Sequence, residues 1–263
     1  MTRTAAFFDL DKTILATSSA LAFARPFYRG GLIGRSDVIR SAYAQFIFLA
    51  SGADHDQMET MRRYMSDLVT GWDVAKVREI VAETIDVIID PVVYDEAVAL
   101  IEQHRAAGRD IVIISSSGTE VVEPIGERLG ADVAIGTQLV VEDGRYTGEI
   151  LFYAYGEGKA QAMRDLADER GYDLSASYAY TDSATDLPML DAVGHPTAVN
   201  PDADLRRIAT ERDWPIVDFA RPVSMRSRLS MEKRQAVAAG AAAAAVSAAA
   251  LGIAWYARHR RMA

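Results

Sequence analysis

Three apolar runs that end in oxygen-bearing side chains constrain this chain more than any other feature: residues 4–9, Asp110-Ile111-Val112-Ile113-Ile114-Ser115 and Ser177-Tyr178-Ala179-Tyr180-Thr181-Asp182. Each is of strand length and apolar through its middle, as a strand buried on both faces must be. Helix-length segments lie between them and stop at glycine: 97–107 before Gly108, 119–129 before Gly130 and 159–170 before Gly171. Glycine takes the left-handed backbone that closes a helix without a side-chain clash. Strand and helix in alternation predict an α/β fold, a doubly wound, Rossmann-like parallel sheet whose ligands bind at the carboxyl ends of the strands.

Residues 17–90 break the alternation. Val38, Ala42, Phe46 and Leu49, then Met58, Met61, Met65 and Leu68, then Val77, Ile80, Val81 and Ile88 recur at helical spacing. They predict an inserted helical cap over 17–90, with 1–16 and 91–222 as the core. Asp143-Gly144 sits between two alternating runs in 139–150, the pattern of a tight hairpin, and predicts a small antiparallel appendage.

The chain has 263 residues, half of them hydrophobic, and no cysteine, which excludes disulfides and thiolate chemistry. Histidines 55, 104, 195 and 259 have no spacing suited to zinc. Beyond residue 225 seven Lys or Arg face one acid, so residues 1–225 carry −15 of a total −9. So acidic a body lacks the basic footprint of nucleic-acid binding. The N-terminal apolar run is too short for a secretion signal, which predicts a cytoplasmic body. Residues 223–263 form a basic linker and a C-terminal hydrophobic helix. Within it, 236–257 is a stretch of 22 uncharged residues flanked by Lys233-Arg234 and Arg258-His259-Arg260-Arg261. About 20 apolar residues span a bilayer, so this stretch is a candidate transmembrane helix, a single-pass membrane anchor. Its high alanine content also suits a helix lying on the membrane or pairing with another chain. More basic residues precede it than follow it, which points the catalytic body to the cytoplasmic side.

Four clusters carry chemistry. In Phe7-Phe8-Asp9-Leu10-Asp11-Lys12-Thr13 two carboxylates leave the first strand end, where one can attack phosphorus while the other moves protons. Acids after a strand also serve simply as turn formers. Ser115, with Ser116-Ser117-Gly118-Thr119, offers hydroxyls and free amides to a phosphoryl group, although serine and threonine here also suit plain helix capping. Tyr155-Gly156-Glu157-Gly158-Lys159 presents a lysine at a helix start, able to offset phosphoryl charge; a solvated lysine is the ordinary alternative. Asp182 and Asp186, four apart after the third strand, are hard oxygen donors of the kind Mg²⁺ takes, and Asp186 equally suits a helix cap.

In order and spacing these clusters resemble the four motifs of haloacid dehalogenase superfamily phosphatases, over about residues 5–200. The insert directly after the first motif resembles the type I cap of the phosphoserine phosphatase-like branch, subfamily IB. The resemblance implies a Mg²⁺-dependent phosphomonoesterase acting on a small phosphorylated metabolite or lipid head group. It implies Asp9 as nucleophile and metal ligand, and Asp11 as acid and base that also gives its backbone carbonyl to the metal. Thr13 would steady the loop, Ser115 and Ser116 bind phosphate, Lys159 offset its charge, Asp182 ligate Mg²⁺ and Asp186 support that site. Phosphoserine phosphatases carry a glutamate shortly after the first motif. Ala16-Thr17-Ser18-Ser19 has no acid, so the resemblance does not extend to L-phosphoserine. Arg25, Arg62 and Arg63 in the cap are candidates for an anionic substrate. Two other classes compete: a membrane-tethered regulatory protein that retains the fold, and a phospho-accepting receiver domain, which a 70-residue insert after the first strand disfavours.

Overall fold

The structure, a computed structural model, describes residues 3–34, 63 and 66–220, all within one compact unit. Seven strands form one sheet: β1 Ala5–Phe8, β2 Asp110–Gly118, β3 Val133–Glu142, β4 Arg145–Phe152, β5 Tyr178–Thr181, β6 His195–Val199 and β7 Ile216–Val217, in the order β4-β3-β2-β1-β5-β6-β7. All neighbours are parallel except β3 and β4. From β1 the chain winds outward through β2 and β3 on one side, and from β5 through β6 and β7 on the other. Their connections leave in opposite directions at the β1/β5 boundary, where the crevice of a doubly wound sheet opens.

Among the described residues the helices with both ends in view are α1 Ser19–Arg29, α2 Val74–Ile88, α3 Asp95–Ala106, α4 Thr119–Leu129, α5 Glu157–Arg170, α6 Leu187–Asp191 and α7 Ala203–Glu211. The glycines expected to stop three of them do so, with φ of +75° at Gly108, +71° at Gly130 and +73° at Gly171. Strand residues alternate between two packed faces. Phe7, Val112 and Ile114 meet Met163, Leu190 and Leu205 on one. On the other, Phe8 stacks on Tyr180 at 4.7 Å, and Tyr180's hydroxyl pairs with His104 Nε2 at 2.7 Å.

The hairpin differs from the expectation. Asp143 and Gly144 do take positive φ, +49° and +76°, as a tight turn requires. The strand before them is no separate appendage, because β3 pairs with β2 from Val133 to Thr137 and with β4 only from Gln138 onward. Ten residues are long enough to serve both partners, so the hairpin prolongs the central sheet. Its tip then binds the insert. Gly71 N–H donates to the Tyr146 carbonyl (2.8 Å), Tyr146 N–H to Trp72 (3.1 Å) and Val74 N–H to Gly144 (3.0 Å).

Of the insert, α1 and α2 are described. Val77, Ile80 and Val81 are buried as their spacing predicts, and Ile88 is half-buried. Val38, Ala42, Phe46, Leu49, Met58, Met61 and Met65 lie outside the described residues, as does the candidate span 236–257. Among the described residues no helix is long and apolar enough to cross a membrane.

At the end of the insert Asp90 is 1% exposed and takes a bidentate pair from Arg128 of α4, Nε to Oδ1 at 2.6 Å and Nη2 to Oδ2 at 2.7 Å. Arg128 also reaches Asp86 at 2.9 Å. We expect Arg128→Met to leave a buried carboxylate without a partner and to lower stability by roughly 3–5 kcal/mol. Urea unfolding of Arg128→Met and of Arg128→Met/Asp90→Asn measures this; a double variant no more stable than the single one would show that the pair is not the cause.

Candidate active site

Strand register assembles the site before any side chain is considered. Phe8 lies opposite Ile113 on β2 and Tyr180 on β5. Two residues further on, Leu10, Ser115 and Asp182 therefore stand level on three adjacent strand ends, about 4.8 Å apart per strand. Beyond β1 the chain turns at once. Ile14 and Leu15 N–H both return to the Leu10 carbonyl, and Lys12 sits at φ +59°, a left-handed conformation costing an ordinary residue about 1–2 kcal/mol. This turn sends Asp11 away from Asp9 and brings Thr13 back beside it.

A buried cluster forms around Lys159, which is 3% exposed. Its ammonium lies 2.6 Å from Asp9 Oδ1 and 2.7 Å from Asp186 Oδ2. Thr181's hydroxyl also donates to Asp186 Oδ2, at 2.7 Å. Thr13's hydroxyl lies between Asp9 Oδ2 (3.3 Å) and Asp182 Oδ1 (3.4 Å). Residues from the ends of β1 and β5 and the start of α5 thus share one cluster. Burial alone would push the Lys159 ammonium's pKa down, but Asp9 and then Asp186 outweigh it and hold the group above the lysine range. Burial pushes Asp9 up against the pull of Lys159, with repulsion from Asp186, Asp182 and Asp11 adding to it. Asp182 is pushed up to about 6, first by burial, with Lys12 opposing and Asp186 adding. The carboxylates here exceed what one buried ammonium neutralises.

Lys159 is delivered by a turn that only glycine permits. Gly156 takes φ +53° and ψ −120°. A Cβ on Gly158 would collide with the Tyr153 carbonyl oxygen. Tyr155's hydroxyl bonds Thr185, joining this turn to the loop after β5. That loop is pinned in turn by Asp202, the N-cap of α7, which accepts from Ser183 Oγ (3.1 Å) and Ala184 N–H (3.0 Å).

Asp11 stands apart from the ammonium cluster. Its Oδ1 accepts from Ser19 N–H at 2.9 Å, and its Oδ2 faces Ser117 Oγ at 3.5 Å. Ser115 is 1% exposed, and its oxygen accepts from Ser117 N–H at 3.3 Å. Ser116 points out to the exposed side of β2 and no described side-chain contact brings it to the cluster; its carbonyl accepts from Thr137. The strand is irregular between Ile114 and Gly118, and there Ser116 is left exposed while Ser117 N–H turns back to Ser115 Oγ. The polar run that follows the apolar stretch of β2 is the signal that pointed to Ser117. Ser19 and Asp202 carried none, because Ser117 and Ser183 lie 98 and 19 positions away, whereas Thr181 stands five residues before Asp186.

The cap arginines are not gathered at the cluster. Arg25 lines a groove of about 540 Å³ between α1 and α2 with Arg29 and Glu83, which none of the clustered acids lines. Arg63 is helical and exposed, and Arg62 lies outside the described residues. Among the described residues no three acidic or histidine side chains converge as metal ligands. Asp9 and Asp182 bring two carboxylates together through Thr13, a donor set that suits Mg²⁺, which takes one or two carboxylates and fills its shell with other oxygens.

The family model for haloacid dehalogenase-like hydrolases matches residues 6–191. The chain is 60% identical over 263 residues to a Streptomyces azureus protein named for inhibition of morphological differentiation, covering 98% of this chain and 95% of that one. It is 56% identical over 261 residues to a protein of Mycobacterium tuberculosis named as a probable phosphatase, covering 99% and 91%. A phosphoserine phosphatase of the same species is 37% identical over 217 residues, covering 82% and 70%. Among solved structures, a Bordetella pertussis protein of unknown function superposes with a TM-score of 0.73 at 29% identity, covering 83% of this chain and 99% of that one. A phosphoserine phosphatase trapped as a phospho-aspartyl intermediate analogue gives 0.59 at 20% identity, covering 88% and 99%, a likeness of fold.

Gly158→Ala should displace the turn and with it the Lys159 ammonium. We expect kcat for phosphate release to fall at least about tenfold, the loss typical of misplacing a group that acts on developing charge. Steady-state kinetics measure it, and wild-type kcat would show that the turn accommodates a side chain.

Proposed function

Because the chain belongs to the haloacid dehalogenase-like hydrolases and is a phosphatase of their phosphoserine phosphatase-like branch, we propose that it hydrolyses a small phosphomonoester through an aspartyl phosphate on Asp9. The observation that carries this reading is the 2.6 Å contact of a buried ammonium with the Asp9 carboxylate at the crevice of the sheet. Lys159 opposes the burial that pushes the Asp9 carboxyl up, favouring its ionised form, and would balance the added charge of the phosphoryl group. The Ser115 hydroxyl, with the Ser116 amide that follows it, would bind the non-bridging oxygens.

In the first step Asp9 oxygen bonds to phosphorus and the bond from phosphorus to the leaving oxygen breaks, while Asp11 gives that oxygen its proton. In the second, Asp11, now a carboxylate, takes a proton from water as the water oxygen bonds to phosphorus. The bond to Asp9 then breaks, releasing inorganic phosphate and restoring both carboxyl groups.

A Mg²⁺ ion fits the donor set. Asp9, Asp182 and the Asp11 backbone carbonyl would hold it, and when bound it supplies charge stabilisation to the phosphoryl oxygens. Burial first, and then repulsion from Asp186, raise Asp182 to about 6, and such a cation would offset both.

The substrate class is a small phosphorylated metabolite or lipid head group. Ser18 and Ser19 stand where an acid would receive an amine, which argues against L-phosphoserine. The 22 uncharged residues of 236–257 support a membrane-anchored enzyme with a cytoplasmic catalytic body. A phosphate-release screen of metabolite and lipid phosphates, run on the full chain with and without vesicles, tests substrate and anchor together. The name of the Streptomyces relative favours a second reading, a regulatory protein that retains the fold. Biological effect that survives Asp9→Asn would support that reading instead.

Two outcomes are expected. Asp9→Asn should form no acid-stable aspartyl phosphate, and Asp11→Asn should lower kcat by about 10²–10⁴-fold, the range of general acid–base catalysis; undiminished turnover in either variant would refute its assigned role. Mg²⁺ should also raise the melting temperature more at pH 7 than at pH 5. Asp182 titrates at about 6 in the fold, above its ordinary 3.8. Its stabilisation is therefore whole below the unfolded value and is lost as pH rises through 6, leaving the cation more repulsion to relieve at pH 7. Equal increments at the two pH values would count against this cation site.

A further inference from the structure

The mechanism above uses Asp11 but leaves unexplained what holds it. None of the hydrogen bonds around Lys159 reaches the Asp11 carboxylate, and its partners come from two other parts of the fold. Ser19 N–H lies 2.9 Å from Oδ1, Ser117 Oγ lies 3.5 Å from Oδ2, and the Ser19 and Ser117 hydroxyl oxygens are 2.7 Å apart. Ser19 is fully buried although it begins a helix. Its hydroxyl is not needed for capping, because Ser18 does that work by accepting from Leu21 N–H at 3.1 Å. Ser117's amide is already committed to Ser115 Oγ, which leaves its hydroxyl pointing between Ser19 and Asp11. Each hydroxyl has a single hydrogen. Beside an ionised Asp11 both hydroxyls can donate, Ser117 to Oδ2 and Ser19 either to Ser117 Oγ or to the carboxylate itself.

We propose that Ser117 and Ser19 are positioning residues, whose paired hydroxyls orient the Asp11 carboxylate and tie that orientation to the first turn of α1. The inference rests on the assignment of Asp11 as general acid and base. Ser117 is then not a phosphate ligand like Ser115, two residues before it on β2. Ser19 makes the cap's first helix part of the proton-transfer geometry rather than a passive cover.

The two roles separate by leaving group. An alkoxide leaves only with a proton, whereas a nitrophenolate leaves without one, so loss of Asp11 positioning harms the first step only for an alkyl ester. For Ser117→Ala we expect kcat on an alkyl phosphate to fall about 10–100-fold with KM within about threefold of wild type, part of the general-acid contribution. With 4-nitrophenyl phosphate the first-turnover burst should stay within about threefold, while later turnovers slow and the aspartyl phosphate accumulates for acid quench, since Asp11 also activates water. Ser117→Thr, which keeps the hydroxyl, should restore the alkyl phosphate rate, and Ser19→Ala should show the same pattern as Ser117→Ala. Should Ser117→Ala not fold, Ser117→Cys, of similar size but a weak donor, makes the same comparison.

Equal losses in the first turnover for both leaving groups, or a raised KM with unchanged kcat, would overturn the proposal by making Ser117 a phosphate-binding group. An unaffected Ser19→Ala would overturn the link to α1. A wild type with neither nitrophenolate burst nor trapped aspartyl phosphate would overturn the aspartyl-phosphate reading and this proposal with it. A wild-type burst with uniform loss in Ser117→Ala overturns the proposal alone.

Discussion

The ammonium of Lys159, buried between Asp9 and Asp186, is the interaction on which the rest of the structure depends. Removing an ion from water costs several kcal/mol even after relaxation, so such a group persists only where opposite charge and hydrogen bonds surround it closely. Here the surrounding is drawn from three places in the chain. Asp9 comes from the end of β1, Asp186 from the loop after β5, and the lysine from a glycine turn that no other residue could make. Each is fixed in turn: Asp186 by Thr181, the β5 loop by Asp202, the turn by Tyr155. A strained Lys12 and two return hydrogen bonds to Leu10 hold the β1 loop. These devices add little stability of their own. They hold the Asp9 carboxylate against a buried ammonium in a place water scarcely reaches.

A second constraint joins the insert to the core. The insert leaves beside Asp11 and returns past Asp90 to the same loop, where Ala16 N–H donates to the Val92 carbonyl and Tyr94 N–H to that of Ile14. The return is locked by the Arg128 pair, and its approach is stitched to the β3–β4 hairpin tip by three backbone hydrogen bonds. The departure is different in kind, because α1 begins with the residue whose amide holds Asp11. One end of the insert is thus anchored by charge, and the other is attached to the carboxylate proposed as acid and base.

The legible parts of the sequence were those whose cause is local. A helix ending at Gly130 can be read from the glycine, and α4 runs from Thr119 to Leu129 as expected. The Asp-Gly turn was readable for the same reason, but its place was not, since nothing within 133–142 reveals that β3 also pairs with β2. Asp9, Thr13, Lys159, Asp182 and Asp186, which the structure gathers into one cluster, were singled out because motif spacing marks residues at strand ends, in the loop after β1 and at a helix start. Ser116 and Ser117 were harder to distinguish. Both follow the apolar run, and the irregularity of β2 between Ile114 and Gly118 decides which one faces Asp11.

The sequence by itself determined the periodicities, and so the strands, the helices and the edge at which their polar ends collect. These follow from backbone geometry and the burial of apolar side chains, which act over a few residues. Tertiary structure alone decided that Lys159 meets Asp9 across 150 positions, and that Ser19 and Ser117, 98 apart, share one hydrogen bond beside Asp11. Such contacts depend on strand order and register, which arise from packing the whole sheet and leave no trace in any single segment.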